Sequence, residues 1–259
     1  GGGKRHMVKQ KVTDVASRIY LAFALILLYL PILILIVSSF NASPRNKAVW
    51  GGFSLSGYTK LFGNDMIMQA LGTTILLAAG AAFVSTILGT MACIGMLGMR
   101  KRTRTWIMGL TNIPMLNADI VTGVALMLLF SRFISLSFWT MLIAHITLII
   151  PYVVLCVQPK VMHLNMSMYE AALDLGASPY YAFWKVVLPE LVPGIVAGFM
   201  LSFTMSLDDF IITHFTKGAG INTLSTLIYS EVRRGIKPSM YALSTVIFAP
   251  MLQFGCFKV

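Results

Sequence analysis

The sequence predicts an all-α polytopic membrane protein with six crossings and a cytoplasmic N-terminus. Hydrophobic residues make up 57% of the chain and charged residues only 11%. The apolar residues fall into six runs, each at or near, or in the second case beyond, the roughly 20 residues a helix needs to cross about 30 Å of hydrocarbon. The densest Lys and Arg clusters directly flank the first three runs, which sets a sidedness. A mean hydropathy of +0.80 makes lipid the bulk solvent and excludes a soluble globular fold. The formal charge of +11 is scattered among apolar runs with no base-lined face, so it reads as topology and not as a nucleic-acid surface.

The runs cover 19–40, 67–97, 106–130, 138–157, 192–215 and 241–257, giving one transmembrane domain over 19–257 behind a cytoplasmic segment at 1–18. Gly1 to Gly3 read as an appended leader, and no cleavable signal precedes the first run, which therefore serves as its own anchor. Lys4, Arg5, Lys9, Lys11 and Arg18 precede span one, while Arg100, Lys101, Arg102 and Arg104 fill the link between spans two and three. Both clusters belong inside, which also puts 158–189 in the cytoplasm and 41–66 and 217–239 outside. Arg45, Lys47, Arg233, Arg234 and Lys237 run against this bias but are sparser.

Within the spans, Pro31 predicts a packed kink. Gly80, Gly89, Gly95 and Gly98 predict close helix contact in span two. Asn112, Pro114 and Asn117 interrupt span three, as at a protein-lined pathway or a plain kink. His145 reads as buried and hydrogen-bonded. Cys93, Cys156 and Cys256 lie in apolar segments without paired or metal-ligand spacing and read as packing residues.

The internal loop before span five carries its own start and stop signals. Ser167 and Glu170 stand at capping-box spacing, Gly176 suits a left-handed helix stop, and Ser178-Pro179 restarts a helix that Pro189 is expected to end. The product is a bent helical elbow offering Met168, Tyr169, Ala171, Ala172 and Leu173. Such a surface fits either docking into another protein's groove or lying on the membrane.

Three acids, Asp119, Asp208 and Asp209, fall inside spans, where each charge costs at least about 2.5 kcal/mol. At 1.5 Å per residue Asp208 lies about 24 Å and Asp119 about 20 Å from the cytoplasmic start of its span. Together they are candidates for lining a path for a polyvalent organic cation. Neighbouring helix positions point about 100° apart, so Asp208 and Asp209 cannot both face it. Capping of broken helices, or pairing with His214 or Lys217, is the alternative for any one of them.

Glu170-Ala171-Ala172, Gly176 and Leu188-Pro189 resemble the EAA loop of ABC importer permeases, at the place that family puts it. Ser206-Leu207-Asp208-Asp209, Asp119-Ile120-Val121 and Ala242-Leu243-Ser244-Thr245 are similar to its spermidine/putrescine branch, from which Pro238-Ser239 departs where Pro-Glu is expected. The resemblance implies six transmembrane helices of the type I permease kind, with Glu170, Ala171, Ala172, Asp174 and Gly176 coupling to an ATPase. It also implies the partners: two ATP-binding cassette subunits carrying ATP and Mg, a second and homologous permease, an extracellular or periplasmic binding protein, and a polyamine substrate, in a bacterial inner membrane. No phosphate-binding Gly-rich loop occurs in this chain, which is expected to be non-enzymatic and to hold no cofactor or metal itself. Two other classes are weighed. An intramembrane hydrolase would rest on Gly52-Phe53-Ser54-Leu55, with no well-placed His, and a proton-coupled carrier would not need the elbow.

Overall fold

The computed structural model describes residues 2–41, 51–234 and 239–246, and these are helical apart from short links. The helices are α1 (Gly2–Ser39), α2 (Ser56–Phe62), α3 (Asp65–Gly95), α4 (Lys101–Leu116), α5 (Asp119–Phe133), α6 (Phe138–Met162), α7 (Met166–Asp174), α8 (Pro179–Ala182), α9 (Leu188–Asp208), α10 (Ile211–Thr216) and α11 (Leu224–Arg234), with further helical turns at 239–246. Among the described residues four stretches are long and apolar enough to cross a membrane: Ser17–Ser39, Asp65–Gly98, Phe138–Met162 and Pro179–Asp208. The pair α4 and α5 makes a fifth if counted as one broken span. Most of the predicted sixth span lies outside the described residues, as do Arg45, Lys47, Lys237, Pro238 and Cys256.

The chain divides into two units, Gly1–Asp65 with Glu231–Val259, and Met66–Ser230. In the first, α1 runs on from the N-terminal segment through Pro31 without ending there, and its apolar residues from Ile19 to Val37 are largely exposed, as suits lipid or a partner. Its end is tied by a stacked pair, Phe40 and Phe53, at 5.2 Å. The Ser39 and Tyr58 hydroxyls add a hydrogen bond of 2.9 Å.

The second unit is built on α6, with α3 on one side and α9 on the other. Small residues set the approach. A Cβ on Gly89 would sit 2.7 Å from Val153 Cγ1, so α3 leaves room there for a side chain of α6, and one on Gly194 would sit 3.1 Å from the Cys156 carbonyl, so α9 lies backbone to backbone against α6. Of the four glycines predicted to pack in span two, only Gly89 is so crowded. Gly80 makes an ordinary contact, whereas Gly95 and Gly98 face open space. Cys93 is buried against α6 with Met96, Val153, Val154, Val157 and Leu191.

Span three departs most from expectation. Asn112 and Pro114 sit inside α4, and the chain instead turns by 100° at Asn117-Ala118. A straight count of rise to Asp119 therefore fails. Pro114 lacks a donor but lies near the C-terminal end of α4, and the helix tolerates it for one further turn. Asn117 then turns extended and ties its side-chain amide to the Thr122 hydroxyl at 3.1 Å.

Candidate functional site

Two places on the second unit concentrate the residues singled out above. The first is the elbow, where local chemistry sets each bend. The N-cap of α7 is Asn165, whose side chain accepts from the Ser167 N–H at 3.1 Å. This corrects the expected Ser167–Glu170 capping box, since Asn165 two residues upstream occupies the first free donor. At the far end the Ala177 N–H bonds to the Ala172 carbonyl and the Gly176 N–H to that of Leu173. With Gly176 at φ +84°, this is the Schellman arrangement expected of a glycine stop. Ser178 accepts from the Tyr181 N–H, with Pro179 next to it as the first helical residue.

Pro189 does not end the restarted helix. The chain widens into a π turn over Phe183–Val187, in which the Leu188 N–H reaches back to the Phe183 carbonyl. The missing donor of Pro189 is absorbed there, and the helix continues into α9. The cytoplasmic link predicted at 158–189 is thus shorter, because α6 extends to Met162 and the fifth span starts at Pro179.

The outward face of α7 also differs from the reading by sequence. Tyr169 is turned inward against the core formed by Cys93, Met96, Val161 and Leu191, and Ala172 and Leu173 are half-buried. Outward lie Met168, Glu170, Ala171, Asp174, Gly176 and above all Leu175, which is 89% exposed. Leu175 was missed because the rigid stop that thrusts it outward shows only in three dimensions.

The second place is the break between α9 and α10. Helix α9 ends at Asp208, Asp209 turns extended, and α10 begins at Ile211. The Asp209 carboxylate accepts from the Thr213 N–H at 2.9 Å and the Ile212 N–H at 3.4 Å, so it caps the new helix. It also lies 3.4 Å from His145 Nε2. The His145 ring is buried, with Nε2 2.9 Å from the Thr213 hydroxyl and Nδ1 2.8 Å from that of Ser206. His145 thus binds both sides of the break from α6. The expected alternative partners do otherwise: Lys217 donates to Asn222 and His214 stacks on Phe210.

Asp208 and Asp119 are in the opposite condition. Both carboxylates are exposed, one closing α9 and the other opening α5 just after the 100° turn. Helices α5 and α10 are in contact, since a Cβ on Gly123 would meet Phe215 at 3.0 Å. Helix α11 is tied to the same region by the Ser225 hydroxyl, which donates to the Asp209 carbonyl at 2.9 Å, and by the Leu224 N–H, which donates to Thr74 of α3 at 2.8 Å. The local signal for the Asp209 cap was present in the sequence as an Asp three residues before Ile212. His145 is buried and hydrogen-bonded as the sequence suggested, but nothing local named Ser206, Thr213 and Asp209 as its partners.

A set of long apolar helices, interrupted at Asn117-Ala118 and again at Asp209 and joined by a capped elbow between α6 and α9, is the architecture of a membrane permease. The chain belongs to the family described as binding-protein-dependent transport system inner membrane component, whose pattern matches residues 85–255. It is 37% identical over 221 residues to the spermidine/putrescine transport system permease protein PotC of Escherichia coli strain K12, covering 85% of this chain and 83% of that protein. It is 39% identical to PotC of Haemophilus influenzae over 85% of this chain and 86% of that one. To the putrescine transport system permease protein PotI of E. coli K12 it is 37% identical over 228 residues, 85% of this chain and 81% of PotI. In fold it is similar to a chain of a bacterial ABC transporter that imports the acidic polysaccharide alginate, with a TM-score of 0.73 at 14% identity over 95% and 96% of the two chains. A second structure of a bacterial alginate transporter, in complex with its pentasaccharide-bound periplasmic protein, gives 0.70 at 13% identity over 94% and 90%. The chain is therefore a multi-pass permease subunit of the inner membrane.

Proposed function

We propose that this chain moves polyamines of the spermidine and putrescine class into the cytoplasm as one of two permease subunits of an ATP-driven importer. Beside the relatives' names, one observation carries the cation assignment. Asp119 stands exposed at the bend of the broken span and Asp208 at the last residue of the span Pro179–Asp208, and neither carboxylate takes a hydrogen bond or ion pair from another described residue. A carboxylate held there without a protein partner is costly unless a cation from outside completes it. Two such groups suit a substrate that carries more than one ammonium group. Asp209, with its cap filled, holds the break in shape beside the path.

Energy enters at the elbow. Glu170, Ala171, Ala172, Asp174 and Gly176 sit against an ATP-binding cassette subunit, one of two that carry ATP and Mg, and Leu175 projects into its surface. Tyr169 and Phe183 pack the elbow onto the core shared by α3, α6 and α9, so movement of the elbow is passed to the spans as a rigid body and not lost in a loose loop. A binding protein on the outer face delivers the substrate, and a second permease completes the pathway. Rocking between inward and outward states then follows nucleotide binding.

The test is uptake of labelled spermidine and putrescine by the complete importer in proteoliposomes. Uptake should require a functional ATPase and should fall at least about tenfold in Asp208→Asn and Asp119→Asn, as removal of a charge-assisted contact worth 1.5–3 kcal/mol implies, while the assembly stays intact. Undiminished uptake in both variants would remove the acids from the path. Uptake that persists with an inactive ATPase would point to a proton-coupled carrier.

A further inference from the structure

Two residues after Asp208 in the chain begins a group of rings that the proposed transport role leaves unused. Phe210 follows Asp208 by two residues and sits in the break itself. Its ring centroid is 4.4 Å from that of Tyr229, inclined at 34°, and 5.4 Å from that of His214, near-parallel at 27°. Helix α11 is held in register for this: Ser225, bonded to the Asp209 carbonyl, lies one helical turn before Tyr229 on the same face. Tyr229 remains 46% exposed, His214 is exposed and Phe210 half-exposed, so the rings are not sealed in a core. Because Asp209 is turned toward His145, its neighbour Asp208 is directed elsewhere, about 100° around the helix axis.

We infer that Phe210, His214, Tyr229 and Asp208 form a subsite for an alkylammonium group. This rests on the polyamine reading and names the chemistry by which one end of the substrate is held. Aromatic faces carry negative quadrupole potential and attract a cation within about 6 Å, more strongly once water is displaced, and their apolar surface accepts the methylene chain between amines. The acid supplies net charge and the rings supply a surface that rejects strongly hydrated inorganic cations. Selectivity for an organic cation over Na⁺ or Mg²⁺ needs both.

The experiment measures equilibrium binding of radiolabelled spermidine to the purified permease–ATPase assembly without the binding protein, alongside uptake by the complete importer. Tyr229→Leu and Phe210→Leu should each weaken binding about three- to tenfold, whereas Tyr229→Phe, which keeps the π face, should stay within about twofold of wild type. 1,8-Diaminooctane should compete and 1,8-octanediol should not. Should Phe210→Leu fail to assemble, the comparison of Tyr229→Leu with Tyr229→Phe decides. Wild-type uptake with no saturable binding, or with leucine variants that bind like wild type, overturns the subsite alone. Failure of the wild-type importer to take up any amine overturns the polyamine reading and the subsite with it.

Discussion

The elbow and the α9–α10 break are both places where a helix stops, turns and restarts, yet they are held in different ways. In the elbow the hydrogen bonds that set the bend are short in sequence, Asn165 to Ser167, Ala177 to Ala172 and Ser178 to Tyr181, while Tyr169 and Phe183 seat it on the core. At the break the local cap by Asp209 is joined by His145 on α6, which reaches Ser206 and Thr213 across 61 and 68 residues. A bend held by its own caps keeps its shape wherever the rest of the protein moves, which suits a rigid handle. A bend held from a neighbouring helix is sensitive to how that helix sits, which suits a gate.

The sharpest way to break this contrast is His145→Ala. It leaves the Asp209 carboxylate, whose side chain is only 19% exposed, without its ring partner and takes from the Ser206 hydroxyl its bond to the ring, while the Thr213 hydroxyl keeps its bonds to Asp209. A loss of about 3 kcal/mol is expected, read as a lower thermal midpoint in detergent and loss of uptake. An unchanged midpoint would mean that the break is held without α6. Next in size is Gly176→Val, which places a β-branched residue at φ +84° at a cost of about 1–3 kcal/mol. Here the outcome to look for is uncoupling: the spans stay folded, but co-purification with the ATPase and ATP-driven uptake fall together. Smallest is Asn165→Ala, which removes one cap worth about 1 kcal/mol. It should loosen α7 in hydrogen exchange while leaving protection at α10 untouched. Loss of protection at both sites would show that the two bends are not independent.

Fidelity of the sequence reading followed the same divide. Six apolar runs were visible because a span is written in consecutive residues, and four of them match long helices to within several residues at most ends, apart from the fifth, which starts about a dozen residues earlier than expected and stops sooner. Gly176 and Ser178-Pro179 were legible because a positive φ and an N-cap are demanded by the backbone locally. Pro189 misled for a related reason. Proline removes a donor wherever it stands, but whether a helix ends or merely widens depends on packing, and here Phe183 and Val187 are held against the core. Gly95 and Gly98 misled because a missing side chain is a permission for contact, and only a facing helix makes use of it.

The sequence by itself determined that this chain lives in lipid, where its elbow stops and restarts, at Gly176 and Ser178-Pro179, and that acids fall in or beside its apolar runs. These follow from hydropathy, spacing and backbone preference, which act over a few residues. Tertiary structure alone decided that Asp209 is engaged by His145 while Asp208 is left exposed, that Gly89 and Gly194 are the points of closest approach to α6, and that span three turns at Asn117. Two adjacent aspartates are identical in composition and nearly so in context. What separates them is the 100° step between their side chains, which takes on meaning only when a neighbouring helix occupies one of the two directions.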